Sequence, residues 1–319
     1  MIYSPCIFGR GEGADYCGPE GPAQEETAPG ATLKTAVLIV LLGILSAIAS
    51  PLCSRVLAKG IPSPAHVIVV MEENHGYSEI IVGSHFPFSL IGWVLAPYIH
   101  SLAVAGASFT NAHAIAHPSQ PNYLALFSGS TQGITNDSCP YSFAVPNLES
   151  ELIAAKLTFA GYSEGLPSTG SEVCSSGNYA RKHVPWTDFS DDPPSNNRPL
   201  SNFPTNFADL PTVSWVIPDQ VDDMHSGSIR QADSWLRNHL SGYVAWAQNN
   251  NGLLIIDWDE DQGTSANHIP TIFVGPMVKP GQYDEKIDHY SVLRTIEDMY
   301  RLPHLGHSAA AAPIMDVWQ

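Results

Sequence analysis

The chain has 319 residues, 44% hydrophobic and 14% charged, with 31 acidic against 14 basic side chains. A formal charge of −17 argues against nucleic acid or an anionic membrane surface as the main partner. Five cysteines are too sparse for a disulfide scaffold, and the apolar share is too high for a disordered chain, which leaves an ordinary globular protein.

Residues 1–30 hold Glu12, Asp15, Glu20, Glu25 and Glu26 against a single base, Arg10, among many glycines and prolines. A secretory n-region is short and positive, so residues 1–32 read as a non-native or unstructured extension, with translation starting at Leu33. Lys34 then opens an apolar run, residues 35–49, that ends in Ala47-Ile48-Ala49, a small-x-small cleavage pattern. The run is shorter than the ~20 residues a bilayer core needs, so 33–49 reads as a signal peptide and the expected location is extracellular. An uncleaved membrane anchor is the alternative. Residues 50–65 read as a linker and 66–319 as the folded domain. In an oxidising compartment its two cysteines, Cys139 and Cys174, are expected to pair. No CxxC or Cys/His spacing for structural zinc is present.

The run HVIVVMEEN at 66–74 reads as a buried strand ending in polar residues. A helix is expected over 92–106, a short strand at Ser108-Phe109-Thr110, and a short helix over 121–128 entered through Pro118 and Pro121. SELIAAKLTFAGY at 150–162 reads as an amphipathic helix ending at Gly161, and 163–211 as a long irregular insertion. A strand at 212–219, a helix over 228–249, strands at 252–260 and 269–276, and a closing helix over 289–302 follow. Alternation of this kind predicts an α/β fold, a mostly parallel central sheet with helices on both faces. In such folds chemistry gathers at the carboxyl ends of the strands.

Three polar clusters lie at such places. They are Glu72-Glu73-Asn74, His117-Pro118-Ser119-Gln120-Pro121-Asn122-Tyr123, and Asp257-Trp258-Asp259-Glu260-Asp261. Carboxylates crowded at strand ends repel one another unless a cation or protons intervene, and two such groups point to a metal with oxygen ligands. Each alone reads as solvated loop charge. Ser119 opens a short helix, where a hydroxyl is usually an N-cap but where free N–H groups also favour a bound phosphate.

MEENHGYSEII, HPSQPNYLALFSGSTQG, PDQVDDMHSGSI, IDWDEDQG and NHIPTIFVGP, in this order, resemble the bacterial phosphoesterase family of acid phosphatases and phospholipases C. The resemblance runs from about residue 65 to the end and implies the alkaline-phosphatase-like fold. It also implies a secreted phosphomonoesterase, in a branch that includes phosphatidylinositol 3-phosphatase activity, working through a phosphoserine. Glu73 and Asn74 match the family's metal-binding pair, Ser119 its nucleophile and metal ligand, and Asp259 and Glu260 the pair that completes the metal site. Asn122 closes the Pro-Ser-x-Pro-Asn pattern and is taken as substrate-binding. His225 matches a histidine that contacts the phosphoryl group or protonates the leaving group, and Asp222 and Asp223 beside it are expected to raise its pKa. A further early histidine of the acid phosphatases has His75, His85 and His117 as candidates. The all-oxygen ligand set favours Ca²⁺ or Mg²⁺ over Zn²⁺.

Arg181, Lys182 and His183 form the dense basic cluster of the folded region, expected to bind a phosphoinositide headgroup or second phosphate during transient contact with a lipid surface. Two rivals remain: a phospholipase C-type phosphodiesterase, and a secreted metal-binding protein that keeps the fold without the reaction.

Overall fold

The computed structural model describes residues 60–81 and 94–319. The extension, the signal-type segment, the linker through residue 59, His85 and the first two residues of the helix expected at 92–106 lie outside the described residues. In chain order the elements are β1 (His66–Glu72), α1 (Tyr77–Ile80), α2 (Pro97–Ala105), β2 (Ala107–His113), α3 (Ser119–Ser128), α4 (Leu148–Ala154) and β3 (Phe159–Ser163). A small hairpin, β4 (Ser175–Ser176) and β5 (Tyr179–Ala180), follows, with β6 (Asn197–Pro199), β7 (Val213–Ile217), α5 (Ile229–Ala247), β8 (Gly252–Trp258) and β9 (His268–Val274). The chain ends with β10 (Gly281–Tyr283), β11 (Ile287–Asp288) and α6 (His289–Tyr300) before a final 3₁₀ turn.

The sheet runs β10-β2-β9-β8-β1-β7-β3-β6, with β11 also on β2. Every pairing is parallel except those of β9, which is antiparallel to both β2 and β8. At the centre Val67 lies opposite Val213 on one side and Leu253 on the other. All seven residues of β8, and Val67 through Glu72 of β1, are buried, so both faces of these strands are covered. α5 buries Ala232, Trp235, Leu236, Leu240, Tyr243 and Ala247, a stripe at three- and four-residue spacing that packs on α2 and β8. Asp233, also buried on α5, accepts the Tyr98 and Ile99 amides at 2.8 Å each, satisfying the first turn of α2, whose own N-cap residue, Ala96, has no side chain able to do so. Among the described residues no helix is long and apolar enough to cross a membrane. Cys139 and Cys174 are paired, with Cα atoms 5.8 Å apart.

Two elements depart from the sequence expectation: the stretch 163–211, expected to be irregular, supplies β6 to the central sheet, and a helix gives way to a strand. The helix anticipated over 150–162 is α4 alone; Lys156 breaks it in the left-handed region (φ 63°), and Phe159–Ser163 becomes a wholly buried strand between β7 and β6. A short buried apolar run has no polar face to reveal its period, so the two readings differ little on paper. Gly161 marks the strand: a Cβ there would lie 2.0 Å from the Trp186 ring.

Glu149, in the first turn of α4, is fully buried, with Oε1 accepting from Asn196 Nδ2 at 2.7 Å and Oε2 making no hydrogen bond. Burial, reinforced by Asp192, pushes its pKa up to about 8. A carboxyl raised in the fold contributes stability that is full below its unfolded pKa and lost as pH rises through the folded one. The melting temperature is therefore expected to fall between about pH 5 and 8.5. Glu149→Gln should flatten that fall and melt roughly 2–4 °C above wild type at the upper end. Superimposable melting profiles across that range would contradict it.

Candidate active site

Leaving β1, the chain passes through Asn74 in the left-handed region (φ 53°), a conformation costly for a non-glycine residue and held by contacts around it. The Glu73 amide donates to the Asp223 carbonyl at 2.8 Å, and the Asn74 amide to Asp259 Oδ1 at 3.1 Å. Glu73 is thereby fixed against Ser119, the first residue of α3. The Ser119 hydroxyl does not cap its own helix. It points inward and donates to Glu73 Oε2 and Glu260 Oε1, at 3.1 and 3.2 Å. The Asn74 carboxamide, turned to donate, reaches the same two oxygens at 3.2 Å each. The structure thus gathers Glu73, Asn74, Ser119, Asp259 and Glu260 at one point.

Two further residues complete the cluster. His183 lies with Nε2 3.2 Å from Glu73 Oε1 and Nδ1 3.5 Å from Asp223 Oδ2, its ring stacked on Tyr123 at 5.0 Å. The Tyr123 hydroxyl donates to Glu73 Oε1. Burial, then the Lys182 charge, holds the His183 pKa well below its ordinary value, so the imidazole is neutral and its lone pair is free to bind. Burial and Asp223 raise Glu73; burial, Glu73 and Glu260 raise Asp259; burial raises Glu260 and pushes Asp223 up to about 8. These carboxyls resist ionising together without a positive charge among them.

The side chains fit a divalent cation. Ligand atoms of Glu73, His183 and Asp223 lie within 4.8 Å of one another. His183 Nε2, Asp223 Oδ2 and Asp259 Oδ2 are buried and make no hydrogen bond. Buried lone pairs without a hydrogen-bond donor are what a cation satisfies. Glu73 belongs both to this group and to the oxygen donors around Ser119.

The basic cluster is divided. Lys182 Nζ sits 3.5 Å from Ser119 Oγ and 2.9 Å from Asp137 Oδ2; burial opposes its charge, but Glu73 and Asp137 raise its pKa and keep it cationic. His183 joins the carboxylates. Arg181 turns away: its guanidinium is buried against the Glu172 carbonyl, Thr187 and Asp188, whose Oδ1 is 3.5 Å distant. The three residues form a 3₁₀ turn, whose three-residue period sends consecutive side chains in different directions. Arg181 is therefore structural. Arg181→Met is expected to lower unfolding free energy by about 3 kcal/mol by removing the charge that faces the buried Asp188 carboxyl, which keeps its hydrogen bond from Gln120, as urea denaturation would show.

Asn122 is likewise committed elsewhere: its Oδ1 accepts the Ile115 and Ala116 amides and its Nδ2 donates to the Ala116 and Pro118 carbonyls, which fastens the loop before Ser119 and leaves nothing for a substrate. His225 borders the site, its ring 6.3 Å from that of His183, with Nδ1 3.2 Å from Ser226 Oγ. Its pKa is lowered, by burial and Lys182, against the expected rise; Asp223 accepts its backbone N–H and turns its free oxygen to His183 instead. Of the early histidines, His117 bonds Glu260 Oε2 at the rim, while His75 pairs with Glu79. In the last cluster, Asp257 holds His289 and Thr271, and Asp261 closes its own turn on Gly263 and Thr264. The sequence marks Asp223 only as a neighbour of His225 in the DDMHSG loop, whereas the structure sets it against His183 as a candidate ligand.

The mostly parallel sheet, with Ser119 and the carboxylates at its carboxyl edge, has the alkaline-phosphatase-like architecture. In fold the chain resembles an alkaline phosphatase superfamily protein from Vibrio parahaemolyticus (TM-score 0.53, 13% identity, 81% of this chain and 73% of that one). It also resembles a lipoteichoic acid synthase from Listeria monocytogenes (TM-score 0.54, 10% identity, 80% and 74%). Residues 94–303 match the model of the phosphoesterase family, and the chain belongs to that family. It is 51% identical over 264 residues to a phosphatidylinositol-3-phosphatase of Mycobacterium tuberculosis, covering 82% of this chain and 85% of that protein. A probable acid phosphatase of Kluyveromyces lactis is 29% identical over 68% of this chain and 56% of its own length.

Proposed function

We propose that this protein is a secreted phosphoric monoester hydrolase that accepts phosphoinositides, phosphatidylinositol 3-phosphate among them, through a phosphoserine intermediate. The observation that carries the reading is the Ser119 hydroxyl, buried, aimed at two carboxylates and 3.5 Å from an ammonium. Relatives named phosphatidylinositol-3-phosphatase and acid phosphatase support the substrate class.

Glu73 or Glu260 accepts the Ser119 proton as Oγ attacks phosphorus. The Oγ–P bond forms while the bond from phosphorus to the alcohol oxygen breaks. Lys182 draws the anionic phosphoryl group to Oγ in a protein whose net charge repels it. His225, which leaves Nε2 without a hydrogen bond among the described residues, is assigned the proton that goes to the departing alcohol, a role its lowered pKa confines to acid pH. Water then attacks phosphorus and gives a proton to His225, while the Oγ–P bond breaks, the carboxyl returns its proton to Oγ, and phosphate leaves. A divalent cation, held by Glu73, Asp259, Glu260 and the Ser119 hydroxyl with His183 and Asp223 adjoining, would supply charge neutralisation and lower the hydroxyl's pKa. The oxygen donors suit Ca²⁺ or Mg²⁺, while His183 admits a borderline ion.

Phosphate release from phosphatidylinositol 3-phosphate vesicles and p-nitrophenyl phosphate tests the reading. Turnover of both is expected. Release of phosphorylated headgroup in place of inorganic phosphate would assign the chain to phosphodiesterases.

A further inference from the structure

Lys182 faces a hazard that the site itself creates. Its ammonium feels the charges of Glu73 and Asp259, and a long, mobile side chain would collapse onto them, blocking a cation and losing its hold on phosphate. Asp137 opposes that collapse from outside the cluster. One of its carboxylate oxygens accepts Lys182 Nζ at 2.9 Å; the other accepts the Gln120 backbone N–H at 3.0 Å, one residue beyond the nucleophile. The two-point contact ties the ammonium to the helix turn that carries Ser119. Side chains of Lys182 and Asp137 are 15% and 28% exposed, so the pair is shielded more than a surface ion pair.

Asp137 is itself anchored. The Asn136 side chain accepts from the Ser138 amide at 2.9 Å and the Tyr141 hydroxyl at 2.7 Å, which shapes the turn around it. Two residues on, Cys139 is bonded to Cys174, and the Cys174 carbonyl accepts the Arg181 amide at 3.0 Å, immediately before Lys182. A closed circuit results: Gln120 to Asp137, through the disulfide to Arg181, along the chain to Lys182 and back to Asp137.

We propose that Asp137 is a positioning residue that, anchored by the Cys139–Cys174 bridge, holds the Lys182 ammonium over the Ser119 hydroxyl and away from the cation-binding carboxylates. The proposal rests on the phosphatase reading above.

The test is a double-mutant cycle on the full chain. Hydrolysis of p-nitrophenyl phosphate is measured beside calorimetric binding of inorganic phosphate. Asp137→Asn keeps an acceptor for the Gln120 N–H but removes the charge facing Lys182. It should lower kcat/KM about 30-fold and weaken phosphate binding about 10-fold, with Lys182→Met somewhat worse. In the Lys182→Met background, Asp137→Asn should cost less than about threefold more, because its partner is gone. Asp137→Glu, which keeps the charge, should recover most of the loss. The Cys139→Ser/Cys174→Ser variant, assayed below its melting temperature, should reproduce the dependence on Lys182 and serves in place of Asp137→Asn if that variant does not fold. Losses that multiply fully in the double variant, or Asp137→Asn within twofold of wild type, overturn the proposal. A wild type that binds phosphate but hydrolyses nothing overturns the phosphatase reading, while the cycle is still decided from the binding constants. A wild type that does neither overturns both.

Discussion

Ser119→Ala is expected to lower kcat on a phosphate monoester by at least ~10³-fold while leaving the fold intact. Removing a nucleophile forfeits the covalent route, and what survives is binding and electrostatics around the phosphorus. The hydroxyl makes no cap to its helix, so its loss removes no helix-terminus bond; the cost is two hydrogen bonds to carboxylates that burial already biases towards their protonated forms, and a long one from Lys182. Melting should change by less than about 3 °C. Incubation of the wild type with substrate followed by acid quench should leave phosphate on the peptide containing Ser119, and the variant should leave none. Rapid turnover by Ser119→Ala would transfer the nucleophile to water and make the serine a ligand.

Much of this site was legible because the sheet announces it. Hydrophobic strands ending in Glu73-Asn74 and Asp259-Glu260 could deliver those side chains only to a sheet edge, and the family likeness of the Pro-Ser-x-Pro-Asn pattern added Ser119, which by position alone reads as an N-cap. The structure brings all five together. Alternation also sorts neighbours: Glu72, one residue before Glu73, shares the Asp223 charge with it but otherwise lies near Asp222 and Asp233. What escaped lay on segments with no repeating pattern. Asp223 follows β7 in a loop that includes Met224 at φ 80°, and Asp137 lies in a turn whose place is set by a disulfide. No periodicity specifies where such side chains point. Arg181, Lys182 and His183 show the same limit, since nothing in three consecutive basic residues discloses a 3₁₀ turn that parts them.

Chelation should have the second large effect, on activity and on stability with opposite pH signatures. Without a cation, Glu73, Asp223, Asp259 and Glu260 have pKa values above those of the unfolded chain. Folding then takes up protons, so stability from these groups is full at about pH 4 and drains away as pH rises towards 8. A divalent ion reverses the sign, because it binds the deprotonated ligands and is itself displaced by protons at low pH. Chelated protein should therefore melt at steadily lower temperature from about pH 5 to 8. Protein at 100 times the dissociation constant of its ion should gain about 2.7 kcal/mol, or roughly 5–10 °C, with most of the gain at the upper end. Activity should fall at least ~10²-fold on chelation and return on replenishment. Asp223→Asn and His183→Asn test the adjoining donors: if Ca²⁺ or Mg²⁺ rescues wild type and both variants equally, the oxygen set around Ser119 holds the ion alone. A rescue by Zn²⁺ or Mn²⁺ that His183→Asn abolishes would place the imidazole nitrogen among the ligands. Melting and turnover that ignore both chelator and metal would remove the cation altogether, and Lys182 would then be the positive charge that lets these carboxylates share one site.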